Sequence, residues 1–317
     1  MKFAILGAGA LGTILGAHLI RAGHEVTILA RGQRANVVER DGLVVHGLNE
    51  LKERCRVVTD PSQLTEVDCF AVGTKAIDTL PSTRPYAHVK VGTVFSMQNG
   101  VVKDELLAEV FPSSAVLGAM ADFSGELLAS GEVLFTRNVG LHLGELSGEM
   151  TPRVTELAHT IDAAGVRCAA HPDIKTLEWS KVVAWAGLVP LAALTRLNTW
   201  RYLSDANGAW VAVQLVREVA RLADALEIPL MDLSPLPAKL IAEASDDTAI
   251  KAVQDIGRRF EATAPEHRMS TLQDIDRGTP IEIDETLGFA LRRGGELGLE
   301  MPTLEVSYRL IKTLVDG

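Results

Sequence analysis

The chain has 317 residues, 47% of them hydrophobic and 23% charged, with a formal net charge of −10. That length exceeds what one hydrophobic core organises, so two domains are expected. The acidic balance and the lack of a basic cluster exclude a nucleic-acid partner. No apolar stretch reads as the roughly 18–20 residues that cross a bilayer, and residues 3–6 are too short an apolar run for a signal peptide. Cys55, Cys69 and Cys168 are scattered and odd in number, which fits reduced thiols rather than a disulfide framework or a zinc site. The expectation is a cytoplasmic protein with no metal and no membrane association.

The N-terminus reads Phe3-Ala4-Ile5-Leu6 and then Gly7-Ala8-Gly9-Ala10-Leu11-Gly12. Leu11, Ile14, Leu15, Ala17 and Leu19 follow at helical spacing, so the glycines stand where a buried strand turns into a helix. In that geometry Gly7 makes the turn, Gly9 lets the backbone approach a pyrophosphate, and Gly12 lets helix and strand pack closely. A second strand over residues 25–30 completes a βαβ unit. Beyond it the spacing predicts a helix near 34–40, strands near 43–45, 56–58, 67–72 and 93–96, a helix from Lys75, and one from the Gln98-Asn99-Gly100 turn through Val110. This alternation is that of a doubly wound parallel sheet. Residues 115–144 carry turn residues between short β-type runs and read as an antiparallel edge closing the domain.

Residues 147–152 (Ser-Gly-Glu-Met-Thr-Pro) read as the boundary, with Pro152 near a helix start. Residues 1–148 are therefore expected to bind a nucleotide and 149–317 to be all-helical. Val154, Leu157, Ala158 and Ile161 mark one helix of that second half and residues 177–194 another. Further helices are expected over about 204–226, 283–297 and 302–315.

The second strand ends Leu29-Ala30-Arg31, with no acid until Glu39. A carboxylate for the ribose 2′-hydroxyl of NAD is thus missing, whereas Arg31, Gln33 and Arg34 suit a 2′-phosphate. NADP(H) is the expected coenzyme. Lys75, just past the 67–72 strand, is a second candidate anion contact, a solvated lysine being the alternative. Lys181 is the last charge before an apolar run that lasts until Arg196. Such a lysine either snorkels at the rim of the helix or sits in a cleft, where desolvation makes it a usable proton donor. Glu282, between two isoleucines, would need a cationic or hydrogen-bonding partner if partly buried, and Lys181 would suit. Ser270 and Thr271 could instead simply cap a short helix.

In order and separation, the glycine motif at 7–12, Lys75, Gln98-Asn99-Gly100, Glu178-Trp179-Ser180-Lys181, Ser270-Thr271-Leu272-Gln273-Asp274 and Glu282-Ile283-Asp284 resemble the ketopantoate reductase (2-dehydropantoate 2-reductase) family. The likeness covers nearly the whole chain. It implies a Rossmann-type α/β domain followed by an all-helical domain like the C-terminal one of 6-phosphogluconate dehydrogenase. It also implies a cleft between them where NADPH reduces a 2-keto acid to a 2-hydroxy acid. By the resemblance, Lys181 is the proton donor and Glu282 its partner, which also fixes the substrate. Ser270 would lie near the substrate carboxylate, and Asn99 beside nicotinamide and substrate. Gly7, Ala8, Gly9, Ala10, Leu11, Gly12, Arg31, Lys75, Asn99 and Glu282 would contact the coenzyme.

The chain departs from the family at Trp185 and Val189, where the pattern has asparagines four and eight residues beyond the lysine. Read as one helix, both lie on the Lys181 face and join Asn99, Lys181 and Ser270 as substrate-binding candidates. Two lost amides open the alternative of a D-2-hydroxyacid dehydrogenase of the same fold acting on branched-chain or aromatic 2-keto acids. A non-catalytic NADPH-sensing protein is the reading from another class. The expected partners are a small 2-keto acid and a second copy of the chain, a homodimer.

Overall fold

The computed structural model describes residues 1–316. Its ten strands are β1 (Lys2–Leu6), β2 (Glu25–Leu29), β3 (Leu43–Gly47), β4 (Leu51–Glu53), β5 (Arg56–Val58), β6 (Glu66–Val72), β7 (Lys90–Ser96), β8 (Leu117–Leu127), β9 (Val133–Glu145) and β10 (Cys168–Ala170). All lie in the first of two compact units, Met1–Ile174; the second is Lys175–Gly317.

A five-stranded, wholly parallel sheet in the order β5-β2-β1-β6-β7 organises the first unit. Its strands are apolar on both faces because both are covered. Phe3, Ile5, Cys69 and Ala71 join one core cluster, while their neighbours Ala4, Leu6, Phe70 and Val72 join another. The strand order reverses between β1 and β6, the place where sheets of this kind leave a crevice at their carboxyl edge.

Two expectations change here. β3 does not extend the parallel sheet, and residues 115–144, antiparallel as expected, do not form its edge. Instead β8 and β9 form a long hairpin, paired from Leu117↔Glu145 to Leu127↔Val133, and with β3, β4 and β10 they make a second sheet. The domain boundary also moves from 148/149 to Ile174/Lys175. Glu145 accepts hydrogen bonds from Thr151 (2.5 Å) and Arg153 (2.7 and 2.5 Å), so the turn at 147–152 is clamped rather than a linker. The helix Pro152–Ala164 buries Val154, Leu157, Ala158 and Ile161, the four residues its periodicity marks. It then leads to β10, which runs parallel to β9.

Among the described residues, the regular elements of the second unit are all helices. Its long helices Ala206–Ala225 and Asp246–Thr263 are amphipathic, and the Asp205 carboxylate caps the first by accepting from the amides of Asn207 and Gly208. The buried Glu218 carboxylate receives the amides of Thr303 and Leu304 at 3.0 and 2.8 Å. It thereby anchors the start of the last helix, Pro302–Asp316. Over Ile174–Thr195 the chain is, contrary to the reading above, long and apolar enough to cross a membrane, with a mean hydropathy of 1.3, but 78% of that window is buried inside the protein.

Candidate functional site

The carboxyl edge of the parallel sheet collects the glycine loop after β1, Arg31 after β2, residues 73–75 after β6 and residues 98–100 after β7. Backbone geometry fixes the first of these. Gly7 has φ +97°, and a Cβ there would stand 2.9 Å from the Thr74 amide nitrogen. A Cβ on Gly12 would lie 2.0 Å from the Gly7 carbonyl oxygen, so the helix Ala10–Arg21 can press this closely on its strand only with glycine at 12. Gly9 caps that helix without a side-chain hydrogen bond, and no acid occupies its first turn. The first-turn amides of Ala10, Leu11 and Gly12 therefore suit an anion, and this cradle fits the pyrophosphate of a dinucleotide.

The neighbouring loops are tied together by a residue the motif reading passed over. The buried Gln98 carboxamide donates to the Lys75 carbonyl (3.0 Å) and the Thr74 hydroxyl (3.2 Å), and accepts from Ser96 (2.9 Å) and Thr79 (3.0 Å). It thus fixes both Lys75 and its own neighbour Asn99, each half-buried. Lys103, only 1% exposed, donates to the Gly100 carbonyl at 3.0 Å and holds the same turn from below. A glutamine between a strand and Asn-Gly was the available signal, since a buried carboxamide needs both donors and acceptors around it.

Arg31 and Arg34 part company. Arg31 is exposed at the end of β2 and opens the helix Gly32–Asp41. It acts on Tyr86, whose hydroxyl is pushed up by burial and drawn partly back by this cation. Arg34 instead turns inward, donating to the Ala8 carbonyl (2.6 Å), the Gly131 carbonyl (2.7 Å) and the Thr13 hydroxyl (2.9 Å). It braces the glycine loop, and its expected place beside a 2′-phosphate is withdrawn.

In the second unit, Lys181 lies on the helix Ile174–Ala186 with its ammonium 5.0 Å from the centre of the Trp185 ring. Both are half-buried, while Val183, Ala184 and Ala186 between and beyond them are buried. The preceding Ser180 is fully buried and accepts the Met231 amide at 2.9 Å, and Trp179 packs on Phe289. The helix is thus pinned by its apolar sides and leaves the Lys181–Trp185 pair presented.

Val189 does not share that face. The helix ends at Ala186, Gly187 and Leu188 form a turn, and a separate helix runs Val189–Thr195 with Val189 only 4% exposed. Pro190 is the cause: it lacks an amide hydrogen and restricts the residue before it, so the expected continuous helix over 177–194 is broken. The i+8 argument for Val189 fails, and the i+4 argument for Trp185 holds.

Ser270 is exposed at the start of the helix Ser270–Asp276, which Met269 caps, so Ser270 is not the cap. Glu282 is half-buried in the segment before the helix Leu287–Glu296, and its carbonyl accepts from Thr286 at 2.6 Å. Next to it Glu285 has its carboxyl pushed up, first by burial and then by the charges of Asp284 and Glu282. Burial works against Asp284 too, but hydrogen bonds from Tyr308 and Lys312 hold it below the ordinary carboxylate range. The thiols take no part: burial pushes Cys55 to about 11, Cys69 to about 12, and Cys168 higher still, away from the reactive thiolate.

Comparison with known proteins places these features in context. A family model described as ketopantoate reductase PanE/ApbA matches residues 3–148, and its C-terminal counterpart matches residues 173–315. The 2-dehydropantoate 2-reductase of Archaeoglobus fulgidus is 31% identical over 316 residues, covering 99% of this chain and 97% of that one. The Mesorhizobium japonicum protein of the same name is 27% identical, covering 99% and 98%. The crystal structure of a PanE/ApbA family ketopantoate reductase from Ralstonia eutropha JMP134 matches with a TM-score of 0.83 at 28% identity, over 100% of this chain and 99% of that chain. A D-mandelate dehydrogenase solved with NADH and anilino(oxo)acetate shares the fold, with a TM-score of 0.85 at 19% identity over the same shares.

Proposed function

The chain belongs to the ketopantoate reductase family, and on that premise we propose that it reduces a 2-keto acid to the 2-hydroxy acid with NADPH. Membership makes it an oxidoreductase acting on the CH–OH group with a nicotinamide coenzyme. The glycine cradle at residues 7–12 receives the pyrophosphate, and Arg31, exposed and uncommitted to the loop's architecture, takes the 2′-phosphate. When bound, the nicotinamide supplies a hydride to the carbonyl carbon.

The residues of the chain do the rest. Lys181 gives its proton to the carbonyl oxygen and its charge steadies the alkoxide as it forms. Glu282 partners that ammonium, Asn99 meets nicotinamide and substrate from the turn that Gln98 and Lys103 fix, and Ser270 meets the substrate carboxylate. The observation that carries this reading is the Lys181 ammonium, held over an aromatic ring on a mostly buried helix. A reductase needs such a group, and a coenzyme sensor does not.

The test is NADPH oxidation, followed by absorbance, over a panel of 2-keto acids for the native protein and Lys181→Ala. Turnover by the native protein that falls steeply in the variant, with coenzyme affinity kept, is expected. Binding of NADPH without turnover of any 2-keto acid would leave only a coenzyme-binding protein.

A further inference from the structure

The Lys181 ammonium stands 5.0 Å from the centre of the Trp185 indole, one helical turn along the same helix. A carbonyl oxygen that takes the lysine proton must come within about 3 Å of Nζ. The two substituents on its carbon then fall within reach of the ring. In a 2-keto acid those substituents are a carboxylate and a side chain. The face of an indole is the negative side of its quadrupole, which attracts the ammonium and repels a carboxylate. The side chain is therefore the group that lies on Trp185.

An indole has a single edge donor and no acceptor. A hydroxyl packed on its face loses water and gains no partner, whereas an aliphatic or aromatic group loses nothing. Val189, withdrawn into the core, adds no group beside the pair.

We propose that Trp185 determines specificity, selecting 2-keto acids whose side chain is apolar, branched aliphatic or aromatic, over those carrying a hydroxyl. The proposal rests on the reductase reading of Lys181. In the reaction, a bound reduced nicotinamide would supply the hydride for the new C–H bond as the C=O π bond breaks. The electron pair passes to oxygen, which takes the proton from Lys181 Nζ, and solvent returns a proton to the amine. The keto acid is reduced and the nicotinamide oxidised.

Four proteins test it: native, Trp185→Phe, Trp185→Asn and Lys181→Ala, each confirmed folded by circular dichroism. Two measurements are made. One is kcat/KM with NADPH for 2-keto acids bearing isopropyl, isobutyl and benzyl groups against ketopantoate, which bears a hydroxymethyl group. The other is calorimetric binding of the corresponding 2-hydroxy acids to the NADP-loaded proteins. The native protein should favour the apolar series by about 10- to 100-fold, the discrimination a single pocket wall supplies. Trp185→Phe should keep that ratio. Trp185→Asn should shrink it about tenfold, mainly through KM, with calorimetry moving in parallel.

A native preference for the hydroxylated acid, or a ratio untouched by Trp185→Asn while Lys181→Ala abolishes turnover, would overturn the role of Trp185 and leave the reductase reading standing. Full turnover in Lys181→Ala would instead remove the reductase mechanism, and the specificity proposal with it.

Discussion

In the proposed function the glycine loop at residues 7–12 and the lysine helix Ile174–Ala186 each meet a small molecule, and they are built differently. In the loop the recognising atoms are backbone amides, and the shape is set by main chain against main chain, as the 2.0 Å clearance for a Cβ at Gly12 shows. In the helix the recognising atoms are side chains, and the backbone is a regular, mostly buried helical support. Main-chain recognition leaves few residues free to vary, whereas side-chain recognition can be retuned one residue at a time. On the proposed function, the loop would then carry the signature of a coenzyme class and the helix that of a particular substrate.

Substitutions can break or sharpen this contrast. The largest effect is expected for Lys181→Ala, where loss of the proton donor and of alkoxide stabilisation should cost at least about 10³-fold in kcat. NADPH affinity, measured by fluorescence titration, should stay within about twofold, because the loop is untouched. A parallel loss of coenzyme affinity would dissolve the distinction.

Gly12→Ala comes next. The added methyl displaces the Gly7 carbonyl, so coenzyme affinity should drop about 10²-fold, with about 1–3 kcal/mol lost from urea-induced unfolding.

Arg153→Met tests the scaffold of the first unit without touching either surface. Glu145 is held below the ordinary carboxylate range, first by its hydrogen bond with Arg153. A depressed carboxylate contributes stability above its unfolded pKa, and that contribution disappears as pH falls through the folded value. The variant should thus be about 2–3 kcal/mol less stable than the native protein at neutral pH, discounted for the partial exposure of Arg153. The gap should narrow in urea titrations as the pH falls through and below the ordinary carboxylate value. A gap independent of pH would assign the loss to packing.

The smallest effect is expected for Arg31→Ala, about tenfold weaker binding of NADPH and no change for NADH. An equal drop for both would refute the 2′-phosphate role.

The sequence made some of this legible and hid the rest for identifiable reasons. The βαβ start was plain because glycine spacing and apolar periodicity agree there, and the helix Pro152–Ala164 was plain from Val154, Leu157, Ala158 and Ile161. Its membership of the first unit was not, since the Glu145 clamp and the β9–β10 pairing are contacts between residues whose types alone do not announce them. Arg34 looked like an anion contact because a loop arginine and a buried brace have the same composition; only the three acceptors around it tell them apart. The break after Ala186 was readable, because Pro190 cannot continue a helix, and ignoring it placed Val189 on the wrong face. The Lys181–Trp185 pair survived because an i, i+4 relation needs only one unbroken turn.

Arg34 also joins parts of the chain that sequence distance would treat as strangers. Its guanidinium grips Ala8 in the glycine loop and Gly131 at the tip of the β8–β9 hairpin, 97 residues away from itself. Shortening or re-sequencing that remote turn would release one end of the brace and let the nucleotide cradle wander. Screens of random variants should accordingly recover coenzyme-binding defects from a hairpin turn remote in sequence from the glycine loop.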